Sequence, residues 1–133
     1  MFDIDAHIGL HAEALKLRSQ RAELLARNLA NADTPGFEAR DFDFRDALDR
    51  ARGAQGGGVT LATAQAGHLG ARGAAAVAPE LQYRIPVAPS LDGNTVDVQL
   101  EQAAFAENAV KYQTTLHFVN SKLRGLMTAI TGQ

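Results

Sequence analysis

The chain has 133 residues, with 13 Lys and Arg against 15 Asp and Glu, and a formal net charge of −2. This length suits a single domain, and interleaved charges give no extended electropositive surface for a phosphate backbone, so two catalytic domains and nucleic-acid binding are not expected. The absence of Cys excludes disulfides, thiolate metal sites and cysteine nucleophiles. We expect no membrane span, because charged residues interrupt every apolar segment, and no cleaved secretory signal, because the acidic start lacks an apolar run.

The first predicted element is a helix from about residue 6 to residue 30. The segment contains no Pro and one Gly, and it carries two apolar stripes at helical spacing. One stripe comprises Ile8, Leu15, Ala22, Leu25 and Leu29, and the other comprises Leu10, Ala14, Leu17 and Leu24. Two stripes on one helix predict that it is contacted from two sides, as in a bundle or a packed filament core.

The helix is followed by a ten-residue string, N-L-A-N-A-D-T-P-G-F, at positions 28–37. Pro35 disfavours helical backbone at Thr34 and therefore ends the helix at about residue 31 or 32. Pro35 and Gly36 fit the two central positions of a type II turn, which directs Phe37 back onto the helix. We expect the amide side chains of this string to hold the freed backbone groups. The predicted turn residues are Asn28, Ala30, Asn31, Thr34, Pro35, Gly36 and Phe37.

The middle of the chain, residues 38–97, is predicted to be extended and irregular. Residues 53–73 are dominated by Gly and Ala, a composition typical of a flexible linker. Tyr83, Ile85 and Val87 then alternate at a period of two, which indicates short strands or extended chain, interrupted by prolines. The sequence Leu-Asp-Gly-Asn at 91–94 predicts a turn before the last element.

The last predicted element is a helix from about residue 98 to residue 130. Its apolar residues alternate spacings of four and three, which is a heptad repeat that favours a partner helix. This stripe, called the seam below, comprises Phe105, Ala109, Tyr112, Leu116, Val119, Leu123, Leu126 and Ile130. The predicted fold is mainly α. Long N-terminal (1–37) and C-terminal (98–133) helices pair as a coiled coil around a short irregular or β-containing middle (38–97), and all three segments form one structural unit.

The string at 28–37 resembles the N-terminal signature of flagellar rod, hook and hook-associated axial proteins, in which N-L-A-N-x-x-T-P-G-F closes the first helix. Residues 39–42, 89–97, 106–108 and 120–126 are similar to the proximal rod subunits of the flagellar basal-body rod family. The glycine run at 53–58 has no counterpart in that pattern, and Glu38 stands where many relatives carry a base.

The resemblance implies a structural protein without catalytic activity or cofactor that assembles into the hollow drive shaft of the bacterial basal body and transmits torque from motor to hook. Its implied partners are copies of itself, other rod subunits, the MS ring or its rod adaptor, and the flagellar type III export apparatus. No nucleic acid or small-molecule substrate is implied. The implied location is the rod in the periplasmic space, reached without a cleaved signal peptide.

Two alternative functions have the same long amphipathic helices. Another axial subunit shares the turn signature, although distal rod and hook subunits have larger middle domains. A cytosolic helical adaptor or export chaperone has no need of the signature. A metal site on His7 and His11 is disfavoured, because the glutamate of the zinc-protease helix motif is absent and no third ligand is evident.

Overall fold

The structure is a computed structural model that describes residues 4–56 and 78–132. Its element order is α1 (Ile4–Ala30), β1 (Arg40–Asp41), α2 (Phe44–Gly56), β2 (Gln82–Tyr83) and α3 (Val98–Thr131). The mainly helical fold with long terminal helices is confirmed, and α1 and α3 begin and end within two residues of the predicted bounds. The glycine-rich linker predicted at 53–73 lies outside the described residues from position 57 onward.

The start and end of α3 follow from local capping. The Asp97 carboxylate accepts hydrogen bonds from the backbone N–H groups of Gln99 and Leu100, at 3.0 and 3.2 Å. At the other end Gly132 adopts φ +73° and donates its N–H to the carbonyl of Thr128. These caps satisfy backbone groups that the helix leaves free, so α3 runs uninterrupted for 34 residues, about 51 Å.

The two long helices pack against each other in antiparallel directions. Contacts pair Asn28 with Glu101, and the carbonyl of Arg18 with Asn108. Toward the start of α1, the His11 ring lies 6.5 Å from the ring of Phe118. As positions on α1 decrease, their partners on α3 increase, which defines the antiparallel arrangement.

Helix α2 packs on a different side of α1 and builds the small apolar core. Leu17, Phe42 and Ala47 are buried together, and Leu24, Phe44 and Leu48 pack around them. The Arg18 guanidinium lies 4.0 Å from the centre of the Phe44 ring. Contact with both α2 and α3 confirms the prediction that α1 is contacted from two sides.

The interpretation of residues 38–97 as extended was wrong for α2. Its start is encoded by Asp43, whose carboxylate accepts from the N–H groups of Arg45 and Asp46. Phe44, Ala47, Leu48 and Ala51 then follow the i, i+3, i+4, i+7 pattern of an amphipathic helix. The composition of the whole middle segment obscured this short local pattern.

The strand prediction was right only in part. Strands β1 and β2 pair antiparallel, with Arg40 opposite Tyr83 and Asp41 opposite Gln82. The ladder ends after Arg84 donates its N–H to the carbonyl of Ala39. Pro86 has no N–H to donate, and Ile85 and Val87 are exposed rather than part of a strand.

Candidate functional site

The turn signature closes α1 as its residues predict. Gly36 has φ +70°, and the N–H of Phe37 donates to the carbonyl of Thr34 at 3.3 Å, which is the hydrogen bond of a type II turn. The Thr34 hydroxyl donates to the side-chain oxygen of Asn31, and the Asn31 amide donates to the carbonyl of Arg27. The side chain of Asn31 therefore connects the turn to the last turn of α1.

Asn28 holds the chain that leaves the turn. Its side chain is buried and binds the backbone of Arg40 in both directions, donating to the carbonyl at 2.8 Å and accepting from the N–H at 3.1 Å. The same amide donates to a carboxylate oxygen of Glu101 at 3.1 Å. One side chain thus ties α1 to β1 and to α3.

A second loop, at residues 90–97, docks onto the turn; the two loops together are called the joint below. The Gly36 N–H donates to the carbonyl of Asp92, and the Thr95 N–H donates to the carbonyl of Phe37. The Ala39 N–H donates to the Thr95 hydroxyl at 2.8 Å. The turn signature is therefore half of a paired structure and not an isolated helix stop.

Asn94 is the central side chain of the joint. Its buried amide nitrogen lies 2.7 to 3.0 Å from the carbonyl oxygens of Asn31, Ala32 and Thr34, and its side-chain oxygen accepts from the Val96 N–H. These contacts hold three carbonyls of the turn that follows α1.

The loop at 90–97 is also held by polar contacts within itself. The Ser90 hydroxyl and the Asn94 N–H both donate to the Asp92 carboxylate. These two hydrogen bonds, the one from Ser90 being the stronger influence, lower the pKa of Asp92 below its ordinary value. Gly93 adopts φ +76°, and a Cβ there would lie 3.8 Å from the Cα of Gly36, so the two turns approach closely through glycine.

An ion-pair network joins α1, β1, α3 and the residue that follows β2. Arg21 of α1 binds Asp41 of β1 through two hydrogen bonds of 3.0 and 2.9 Å, which raise the pKa of Arg21. Arg84, after β2, pairs with Asp41 at 2.8 Å and with Glu101 of α3 at 3.2 Å. Glu101 is completely buried, and the contact of its Oε1 with Arg84 is ionic without the alignment of a hydrogen bond. The network therefore holds the two-stranded sheet against both long helices.

The seam residues lie beside the α1 contact rather than at its centre. Phe105, Tyr112, Leu116 and Leu123 are between 36% and 41% exposed. The remaining members are Val119 and Leu126, which are half-buried, and Ala109 and Ile130, which are exposed. The residues of α3 that are buried against α1 are Glu101 and Asn108. The seam thus forms a flank of the helix pair with apolar surface left uncovered.

Part of this flank is a groove between α1 and α3. Phe105, Ala109 and Tyr112 line it from α3, and Ser19 and Ala22 line it from α1, around a volume of about 250 Å³. The apolar lining and open shape suit a helix or a side chain of another protein chain more than a small polar molecule.

Sequence reasoning located the turn but not the partners that complete it. The sequence pattern places Asn94 only in a predicted turn and does not single out Glu101. Asp97 offered a usable signal, since an N-cap there places Glu101 in the first turn of α3, beside the end of α1 if the helices are antiparallel. The contacts of Asn94 across some sixty residues of chain have no such local signal.

The described residues contain no group of three or more His, Asp or Glu side chains placed to hold a metal ion. The metal site considered for His7 and His11 includes the His7 side chain, which lies outside the described part of the structure. Across residues 4–56 and 78–132, no helix is long and apolar enough to cross a membrane.

Comparison with known proteins agrees with the resemblance seen at the turn. Residues 8–37 match the family described as flagella basal body rod protein. The chain is 46% identical over 132 residues to the flagellar basal body rod protein FlgB of Salmonella typhimurium, covering 97% of this chain and 96% of that protein. It is 52% identical to a FlgB of Cereibacter sphaeroides, with 95% and 94% covered, and 50% identical to the FlgB of Aeromonas hydrophila, with 97% and 96% covered.

Proposed function

Because the chain belongs to the FlgB family of flagellar basal body rod proteins, we propose that it is a structural subunit of the proximal rod. In this role it assembles into the hollow shaft that transmits torque from the motor to the hook. The observation that carries the proposal is likeness over nearly the whole chain, including the second half of the joint, and not over the turn signature alone.

The two alternative functions receive no support from the comparisons. A distal rod or hook subunit would have a larger middle segment than this chain. The relatives named FlgB match this chain over nearly its whole length. A cytosolic adaptor or chaperone would account for amphipathic helices but not for a joint built on the N-L-A-N-x-x-T-P-G-F string.

The proposed role is mechanical, so we assign no catalytic residue and no cofactor. The proposed partners are copies of this chain, other rod subunits, the MS ring or its rod adaptor, and the flagellar type III export apparatus. We place the assembled subunit in the periplasmic part of the basal body and propose export without a cleaved signal peptide. Neither nucleic acid nor a small-molecule substrate enters this function.

We propose the seam as the surface that meets neighbouring subunits. Its larger side chains are only partly covered by α1, and each is worth about 1.5–3 kcal/mol when it is fully removed from water. A neighbour packed along the flank would cover the rest of this surface. The proposed signature residues have a different role, which is to form the joint that holds α1 and α3 together.

Electron microscopy of basal bodies from a strain that lacks this gene tests the proposal directly. The expected result is an MS ring without an attached rod, restored by a plasmid-borne copy of the gene. Complete rods with hooks in the deletion strain would contradict the proximal-rod assignment. A complementing copy with Gly53→Ala, an exposed change in α2, serves as the control that substitution as such does not prevent assembly.

A further inference from the structure

The described part of α3 buries two side chains, and both are polar. Glu101 is 0% exposed and Asn108 is 2% exposed, whereas the large apolar residues of the seam remain partly open to solvent. The two buried residues are seven positions apart and therefore lie on the same face of the helix. The centre of the α1–α3 contact is thus marked by one carboxylate and one amide, a heptad apart.

Each of these side chains meets a specific group on α1. The Glu101 carboxylate accepts from the Asn28 side chain at 3.1 Å, and Arg84 supplies a positive charge on its other oxygen. The Asn108 amide donates to the backbone carbonyl of Arg18 at 2.8 Å. Both contacts join a donor to an acceptor, the Glu101 contact in a buried place and the Asn108 contact in a partly buried one, where an unpaired polar group is unfavourable.

The apolar seam by itself does not specify how α3 is aligned along α1. Its members recur every seven residues, so a slip of one heptad places six of the eight seam positions onto positions already occupied by another seam residue. Such a slip moves the helix by about 10 Å while keeping an apolar stripe in the same place. The apolar energy therefore differs little between the two alignments.

The buried polar contacts, in contrast, fail after a slip in either direction. If Asn108 moves to the position of Glu101, the Arg84 guanidinium loses its carboxylate partner on α3. If Glu101 moves to the position of Asn108, a carboxylate faces the carbonyl of Arg18, and two acceptors meet in a partly buried contact. Single buried polar residues are known to fix alignment in coiled coils by this kind of mismatch.

We propose that Glu101 and Asn108 set the register of α3 against α1, and that the seam supplies apolar contact without selecting that register. The inference rests on the proposed function only in taking the paired helices as the assembled state of the subunit. It predicts that apolar replacements at these two positions keep the helices associated but allow α3 to shift by a heptad.

Paired cysteines in the full-length chain report the register, since the sequence has no other thiol. His11 and Phe118 are neighbours in the observed register, and a heptad slip brings position 111 or 125 opposite His11 instead. Three variants therefore carry Cys at position 11 together with Cys at 118, 111 or 125. A thiol-specific cross-linker shorter than about 10 Å, the length of one heptad, distinguishes them. Products are read by peptide mass spectrometry on purified basal bodies, because the paired helices are taken as the assembled state of the subunit.

With Glu101 and Asn108 intact, we expect the 11–118 product to exceed either shifted product by about tenfold or more. A bias of about 1.4 kcal/mol is sufficient for that ratio. In the double variant Glu101→Leu, Asn108→Leu we expect the shifted products to rise to within about threefold of the 11–118 product, since little then separates the alignments. Asn108→Leu alone keeps the Arg84 contact and should raise the ratio of shifted products to the 11–118 product by a smaller factor. This single variant tests the register if the double variant is degraded.

The matched control is Asn120→Leu, the same substitution at an exposed position of α3, which should leave the 11–118 product dominant. A dominant 11–118 product in all the leucine variants would overturn the inference and assign the register to the joint. Equal yields of all three products in the unsubstituted background would overturn it as well. Recovery of the unsubstituted chain with purified basal bodies is measured separately, because its absence there would count against the proposed function and not against the register.

Discussion

At the scale of single residues, the joint depends on two glycines at positive φ and on one amide side chain. Gly36 and Gly93 both adopt positive φ and come close enough that each turn presents its backbone to the other. Asn94 provides an amide that reaches three carbonyls of the turn. The identities of the signature residues therefore follow from the contacts that the turn makes with residues 90–97.

Gly36→Val should weaken the joint through backbone strain alone. No heavy atom lies within 4 Å of the Cβ that Val would add, so the cost comes from φ +70°, at about 1–3 kcal/mol. We expect lower amounts of the subunit in purified basal bodies and a reduced upper temperature for swimming. Gly53→Ala, where φ is not positive and space is also free, should leave both unchanged. Normal swimming of the Val variant at all temperatures would contradict the type II turn.

Asn94→Asp preserves size but turns a donor into an acceptor that faces three carbonyl oxygens. We expect a loss of about 1–3 kcal/mol, since the carbonyls of the turn lose the donor of the buried Asn94 side chain and meet a carboxylate instead. Limited trypsin digestion of purified basal bodies should then show faster cleavage after Arg40, close to tenfold for each 1.4 kcal/mol of easier opening. Asn120→Asp, exposed on α3, is the control. Equal cleavage rates in the two variants would show that Asn94 contributes little to the joint.

At the scale of elements, the seam is the part of α3 that we propose as the assembly surface. Leu116→Asp or Leu123→Asp places a charge on a surface that a neighbouring subunit is proposed to bury, and an unpaired buried charge costs several kcal/mol. We expect export of the variant without rods visible by electron microscopy. Thr114→Asp, exposed on another face of α3, should assemble normally. Complete rods with both seam variants would remove the seam from the assembly surface.

The elements also show what local pattern can and cannot reveal. The helices α1 and α3 were predictable because stripe, cap and breaker signals agree over many residues, as with Asp97 before α3. Helix α2 carried the same signals, from the Asp43 cap to the spacing of its apolar residues, but over only 13 positions. Its prediction failed because composition was averaged over a segment in which the helix is a minor part.

The candidate site was predictable on one side only. The type of the first turn follows from the backbone preferences of Thr34, Pro35 and Gly36. The partner loop has no such local signal. Asn94 is needed there because its side chain contacts carbonyls near residue 34, and only the folded chain brings these groups together. The same holds for Glu101, whose burial depends on Asn28 and Arg84 being brought to it from two other segments.

At the scale of the whole molecule, the small core suggests that the free subunit is not fully ordered. The three helices of 27, 13 and 34 residues contain more than half of the chain, yet within residues 4–56 and 78–132 the buried apolar cluster consists of a few residues around Leu17. Ordering long helices costs conformational entropy that so small a core does not offset by itself. Neighbouring subunits along the seam would supply the missing apolar contact.

We therefore expect the free subunit to be less helical than the assembled one. Circular dichroism of the purified chain should show helix content well below the half or more that the structure contains, and a helix-promoting cosolvent should raise it. Amide hydrogen exchange of the chain in basal bodies should show protection along α1 and α3 that the free chain lacks. Equal helicity and equal protection in the two states would refute coupling between folding and assembly.

The joint also dictates an order of events during synthesis. Its two halves lie at residues 31–39 and 90–97, so a growing chain cannot close it until most of its length has left the ribosome. Until then α1 has neither the Asn94 amide against the turn that follows it nor α3 beside it. Completion of the fold is thus postponed until residues 90–97 and α3 have been synthesised, and the nascent chain stays open until that point.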